Sequence, residues 1–152
     1  MRNDLAKKFK FVAGQTSPED ALAAGNYPAS GSYVDVSGFA EVNIIVHLGA
    51  IDASDVPVFE VKETDAVDGT LDVIDATYAK HTCEADDDDE MITFHIETAK
   101  LSEDHHFLAV VVSGVTNGSY GDILYILGPA GSQPVTQTTA LLPTASQHSF
   151  AG

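Results

Sequence analysis

The chain has 152 residues, 44% of them apolar, and a formal net charge of −16 from 23 carboxylates and 7 basic side chains. That length fits one domain with a sizeable core, and that apolar content argues against a disordered acidic tail. An acidic body repels phosphates, which speaks against direct nucleic acid binding, and no apolar run reaches the length of a membrane span.

The charge is unevenly spread. Arg2, Lys7, Lys8 and Lys10 fall in the first ten positions, and beyond them only Lys62, Lys80 and Lys100 oppose 22 carboxylates. Such a front end suits an acidic surface, its own or a neighbour's. A saline habitat would also favour acidic, lysine-poor surfaces. MRNDLAKKFKFVAG places charges where an export signal needs an apolar stretch, so cleaved export is not expected. The one cysteine, Cys83, cannot make an internal disulfide, which suits folding in a reducing cytoplasm.

In chain order, residues 1–16 carry the basic cluster with Phe9 and Phe11 and no sustained period, and read as an arm. SPEDALAAG (17–25) has helix punctuation: Ser17 as N-cap, Pro18 in the first turn with Glu19 and Asp20, and Gly25 as stop. From Tyr33 the period becomes two. In EVNIIVHL, Val42, Ile44, Val46 and Leu48 oppose Glu41, Asn43, Ile45 and His47. In PVFEVKE, Phe59 and Val61 oppose Glu60 and Lys62; LDVIDATY (71–78) is a weaker strand after Asp68-Gly69. In MITFHIE, Ile92, Phe94 and Ile96 oppose Met91, Thr93, His95 and Glu97. HFLAVVVSG (106–114) is apolar on both faces and belongs at a sheet centre or under a partner subunit. Asn117-Gly118 turns the chain into YGDILYILG (120–128).

About seven to eight strands with almost no helix predict an all-β fold, a single β-sandwich or small β-barrel. TAKLSED (98–104) is long enough to cross between sheets. The expected organisation is an arm with a short helix over 1–30, a β-domain over 31–128 and an extended tail over 129–152. That tail contains no charged residue, has prolines at 129, 134 and 143, and offers Leu141 and Leu142 as anchors.

Chemistry-bearing motifs are scarce. The acidic run Glu84–Glu90 lacks the glycine and the alternation of a calcium loop, so it reads as a solvated hairpin tip that discourages stray sheet pairing. His105 and His106 are adjacent and diverge; His47 and His95 could share a face but lack a third ligand. Cys83 and His81 share a strand face, yet the surrounding acids disfavour a thiolate nucleophile. There is no HExxH, CxxC, GxSxG or phosphate loop, and no Trp for a sugar platform. No catalytic residue, metal or cofactor is assigned.

GSYVDVSGFAEVNIIVHLGAI (31–51), VPVFEVKETDAVDGTLDVIDATY (56–78), TAKLSEDHHFLAVVVSGV (98–115) and GPAGSQPV (128–135) follow a short lead with Phe9 and Phe11. In pattern and phrase the body resembles small structural proteins of tailed bacteriophages, such as capsid decoration (cement) proteins. The resemblance implies assembly in the host bacterial cytoplasm and binding to the capsid exterior as an oligomer, typically a homotrimer. The major capsid protein would be the partner, and no reaction is implied. Under it, Arg2, Lys7, Lys8 and Lys10 reach acidic capsid patches while Phe9 and Phe11 enter apolar clefts, each arm adding to avidity. Phe107, Val111, Ile123, Tyr125, Leu141 and Leu142 become the candidates for oligomer contact. Competing readings are a neck or tail adaptor, a tail-tip binding module, and a metal-dependent glycan binder or enzyme.

Overall fold

The computed structural model describes residues 8–15, 21–74, 76–84 and 87–131. Among them are ten strands: β1 Lys10–Ala13, β2 Gly25–Tyr27, β3 Val34–Asp35, β4 Glu41–Leu48, β5 Val58–Thr64, β6 Asp72–Val73, β7 Lys80–Thr82, β8 Met91–Glu97, β9 Phe107–Ser113 and β10 Gly121–Leu127. They form two antiparallel sheets packed as a sandwich. One has four strands in the order β1-β10-β4-β8. The other has six: β2-β9-β5-β6 in a row, with β3 also pairing β9 and β7 also pairing β5.

Alternation builds the core. On β4, Val42, Ile44, Val46 and Leu48 are buried; on β10 the buried phase is Gly121, Ile123, Tyr125 and Leu127; on β8 it is Phe94 and Ile96. From the other sheet come Phe59 and Val61 of β5 and Leu108, Val110 and Val112 of β9. Each of the Val, Ile, Leu and Phe side chains among them, fully buried, stabilises the fold by roughly 1.5–3 kcal/mol. The two strands apolar on both faces, β9 and β10, are inner strands of their sheets, with Phe107, Val111, Leu124 and Ile126 half-buried on the outward faces. At the end of β9, Gly114 has φ +71, and a Cβ there would lie 2.0 Å from the Val56 carbonyl oxygen, so glycine lets the 55–57 loop close over the sheet.

The sheets are stitched by crossings. Residues 98–106, including a single 3₁₀ turn at Thr98–Lys100, carry the chain from β8 to β9 in the opposite sheet, the crossing expected of TAKLSED. Two other connections depart from expectation. The acidic run joins β7, paired with β5, to β8, paired with β4, so it is a sheet-to-sheet crossover rather than a hairpin tip. The Asn117-Gly118 turn, with Gly118 at φ +91, likewise joins strands of different sheets. Turn chemistry marks where the chain bends; it carries no information on which sheet the next strand joins.

Sequence and structure also differ at the N-terminal side. Lys10–Ala13, expected in a detached arm, is the edge strand of the four-stranded sheet, in register with Leu124–Leu127 of β10. In the expected helix over 17–25, Ala21 instead bridges Tyr120, Leu22 is buried in the core, and Gly25 opens β2. Tertiary pairing overrides a helix too short to persist alone. LDVIDATY keeps only Asp72–Val73 as strand before one helical turn, α1, at Ala76–Ala79. In the expected tail, Ala130 bridges Phe39 and Gly131 donates to the Gly38 carbonyl; Leu141 and Leu142 lie outside the described residues.

Candidate functional site

From Lys8 onward the basic segment runs to the edge strand Lys10–Ala13 of the four-stranded sheet. The Lys8 carbonyl accepts a hydrogen bond from Ala130 N–H, and the Phe9 ring lies against Gly128, where a Cβ would come within 2.4 Å of it. Phe11 stands on the outer face of the sheet beside Ile126. Phe9 and Phe11 are therefore half-buried against their own domain rather than projecting from an arm. Arg2 and Lys7 lie outside the described residues.

The oligomer-contact candidates do not form one surface. Ile123 and Tyr125 are fully buried in the core, because on β10 the odd-numbered residues face the other sheet; Leu124 and Ile126 are the outward, half-buried pair. Phe107 and Val111 stand half-buried on the outer face of the opposite, six-stranded sheet.

The histidines separate as their register dictates. His47 pairs with Met91 and His95 with Asn43, so they share a face but sit four residues apart along β8, about 13 Å. His95 Nδ1 is 3.0 Å from Asn43 Oδ1 and its Nε2 is 3.8 Å from Glu41. His106 turns to the Asp104 carbonyl and stacks on Phe107, with ring centroids 4.6 Å apart, while His105 turns to Glu63.

Three polar constellations come together only in the fold. In the first, Asp55 accepts hydrogen bonds from Thr116 N–H and Thr116 Oγ1, both at 2.8 Å, from Asn117 N–H at 3.2 Å and from Ser119 Oγ at 2.8 Å. Burial pushes this carboxyl up, but the Thr116 amide, the Ser119 and Thr116 hydroxyls and the Asn117 amide outweigh it and hold the acid at about 2. The clamp ties the β9–β10 turn to the loop after β4. Because the native acid is depressed below its unfolded value near 4, the clamp's contribution is complete above pH ~4 and is lost as pH falls toward about 2. Wild type should therefore lose more stability between pH 5 and pH 2.5 than Asp55→Asn, which has no such proton to take up. Equal acid limbs in urea melts would refute the clamp.

In the second, Glu63 follows Phe59 and Val61 on the inward phase of β5 and is only 3% exposed. It accepts from Ser102 N–H at 3.0 Å and from Ser102 Oγ, and His105 Nδ1 lies 3.6 Å away. That separation is beyond hydrogen-bonding reach, and among the described residues the buried imidazole nitrogen has no hydrogen-bond partner. The third is the turn at the start of the acidic run. Asp87 Oδ2 accepts Glu84 N–H at 2.8 Å and lies 3.1 Å from His81 Nε2. The Glu84 amide, followed by the His81 ring, holds the Asp87 carboxyl below its ordinary value despite burial. Next to it, burial and the Asp87 charge push the Cys83 thiol up to about 11, so it is no thiolate nucleophile at neutral pH.

Sequence reasoning passed over Asp55, Glu63 and Asp87. Glu63 alone left a signal, as a carboxylate on the buried phase of a strand. Asp55 acts through partners 61 and more positions away that only the fold brings near, whereas Asp87 meets Glu84 and His81 through a local turn. No catalytic dyad emerges from these groups: the Asp55 and Glu63 oxygens are taken up by fold-closing hydrogen bonds.

The architecture places the chain among antiparallel β-sandwich domains, and no helix among the described residues is long and apolar enough to cross a membrane. Compared with protein-family models, curated proteins and solved structures, the chain matches none.

Proposed function

We propose that this chain is a non-catalytic structural subunit of a tailed-phage virion, a decoration protein that binds the capsid exterior as a homo-oligomer and stabilises capsomer contacts. One observation carries the reading: four of seven basic residues precede Phe11, and the strand that begins at the last of them, Lys10, is hydrogen-bonded along the sheet edge of an otherwise acidic body. The cationic lead thus starts from a fixed point, and a capsid bearing acidic patches is its electrostatic complement. The resemblance of residues 31–135 to phage decoration proteins points the same way. Phe107 and Val111, together with Leu141 and Leu142 outside the described residues, are the candidates for contact within a homotrimer.

The structure dictates how the lead can be tested. Removing residues 1–12 would strip the edge strand and damage the fold. Charge reversal at Arg2, Lys7 and Lys8 to Glu leaves β1 in place. Exposed pairs contribute ~0.2–1 kcal/mol each, and three arms act together, so co-sedimentation with empty expanded capsids should weaken at least about tenfold. Undiminished binding by the reversed variant would overturn the role of the lead. A gold label found at the neck or tail of whole particles would move the protein off the shell, and a monomeric mass in solution would remove the trimer.

A further inference from the structure

The crossover from β7 to β8 brings together three unlike donor atoms. His81 sits on β7 opposite Phe59, and Cys83 follows two residues later on the same side, its N–H bonded to the Pro57 carbonyl at 2.8 Å. The chain then doubles back: Asp87 N–H donates to the Glu84 carbonyl while Asp87 Oδ2 accepts Glu84 N–H. The imidazole nitrogen, the sulfur and the carboxylate oxygen end within 4.8 Å of one another.

We propose that His81, Cys83 and Asp87 form a zinc site that pins the crossover between the two sheets. A tetrahedral zinc ion with bonds of ~2.0–2.3 Å separates its donors by ~3.3–3.8 Å, so side-chain rotations of about 1 Å close the triad around an ion. The set of one soft sulfur, one imidazole and one carboxylate selects zinc over calcium or magnesium, which take oxygen alone. The Glu84 amide, bonded to the Asp87 oxygen, supplies the outer support that such sites use to orient a ligand. The fourth position would be open to water: Cys83, with Glu84 and Asp88, borders a cleft of ≈ 300 Å³. On binding, the Cys83 S–H bond breaks, the proton passes to solvent and sulfur bonds the ion, so each zinc bound releases one proton from the thiol. Two thirds of this triad lies on a strand end and is preformed by sheet pairing, which separates it from the run of exposed acids that follows. The site is independent of the virion reading and stands or falls separately from it.

The test uses the full chain and metal alone. Cobalt(II) titrated into the metal-free protein should produce a thiolate-to-metal charge-transfer band at one equivalent, and zinc should abolish it. Zinc should raise the melting temperature by several degrees, as saturating ligand does when it binds only the native state. Cys83→Ser should lose the charge-transfer band, and His81→Ala and Asp87→Asn should each weaken zinc at least about tenfold. Asp89→Asn with Glu90→Gln, which leaves the triad intact, should bind as wild type does. Absence of the cobalt–thiolate band, or zinc binding unchanged in Asp87→Asn but lost in the Asp89/Glu90 variant, would overturn the proposal in favour of loose ion association with the acidic run. Asp87→Asn guards against misfolding of the cysteine variant, since it keeps size and the Glu84 hydrogen bond.

Discussion

Replacing Tyr125 with Ala should bring the protein close to unfolding, and replacing it with Phe should cost about 2–4 kcal/mol with packing intact. Tyr125 is fully buried on β10, yet its hydroxyl crosses the sandwich to the other sheet. There it accepts Val110 N–H at 2.8 Å and donates to the Tyr27 carbonyl. Tyr27 and Val110 are register partners in β2 and β9, so the hydroxyl sits between two backbone groups that face each other across a sheet. Removing it leaves the buried Val110 N–H and the partly buried Tyr27 carbonyl without this partner, at ~1–3 kcal/mol for each buried group left unpaired. Alanine adds a ring-sized cavity worth ~3–5 kcal/mol, and the sum approaches the whole stability of a domain, ~5–15 kcal/mol. Urea melts of the Phe variant should show a lower midpoint with an unchanged slope, the sign of lost stability without a new unfolded state.

The same hydroxyl sets an alkaline limit. Burial raises its pKa above the ordinary 10.0, the Val110 N–H opposing only in part. The native state therefore holds a proton that the unfolded chain releases, so stability is complete below pH ~10 and falls as pH rises beyond it. Tyr125→Phe should flatten that alkaline loss while being less stable at neutral pH. A Phe variant as stable as wild type at pH 7, or one with the same alkaline limb, would show that the hydroxyl ties nothing.

Glu63→Ala should cost about 2–4 kcal/mol, the range for stranding buried partners of a charged acceptor. In a chain of this size that lowers Tm by roughly 5–15 °C. Ser102 N–H and Oγ would lose their acceptor, and the His105 ring its neighbouring carboxylate. Glu63→Gln keeps one carbonyl oxygen for the Ser102 amide and should lose less. A double-mutant cycle with His105→Ala isolates the imidazole's share, because the two side chains touch and so cannot be additive if they interact. Additive losses within about 0.5 kcal/mol would show that His105 is only a neighbour, and a Glu63→Ala variant melting with wild type would show that the carboxylate does not hold the 98–106 crossing to β5.

These large effects fall on residues whose sequence context suggested little. Tyr125 lies in an apolar strand where its ring looked like one more candidate for subunit contact; only the phase of β10 against β4 turns it inward. Glu63 continues the Phe59, Val61 series by two and could be read as inward, yet a lone buried carboxylate is unfavourable until Ser102 and His105 arrive from 39 and more positions along the chain.

What the sequence determined by itself was the class: an acidic all-β domain, the buried phases of β4, β5 and β8, the inner placement of β9 and β10, and the crossing after β8. Period-two burial is a local property, written in consecutive residues, and needs no knowledge of partners. The tertiary structure decided that Lys10–Ala13 completes a sheet, that the acidic run crosses between sheets, and that Asp55, Glu63 and Tyr125 find their partners. Those outcomes depend on hydrogen-bond donors and acceptors meeting across the sandwich, and strand pairing is chosen by the global closure of two sheets, not by any stretch of chain read alone.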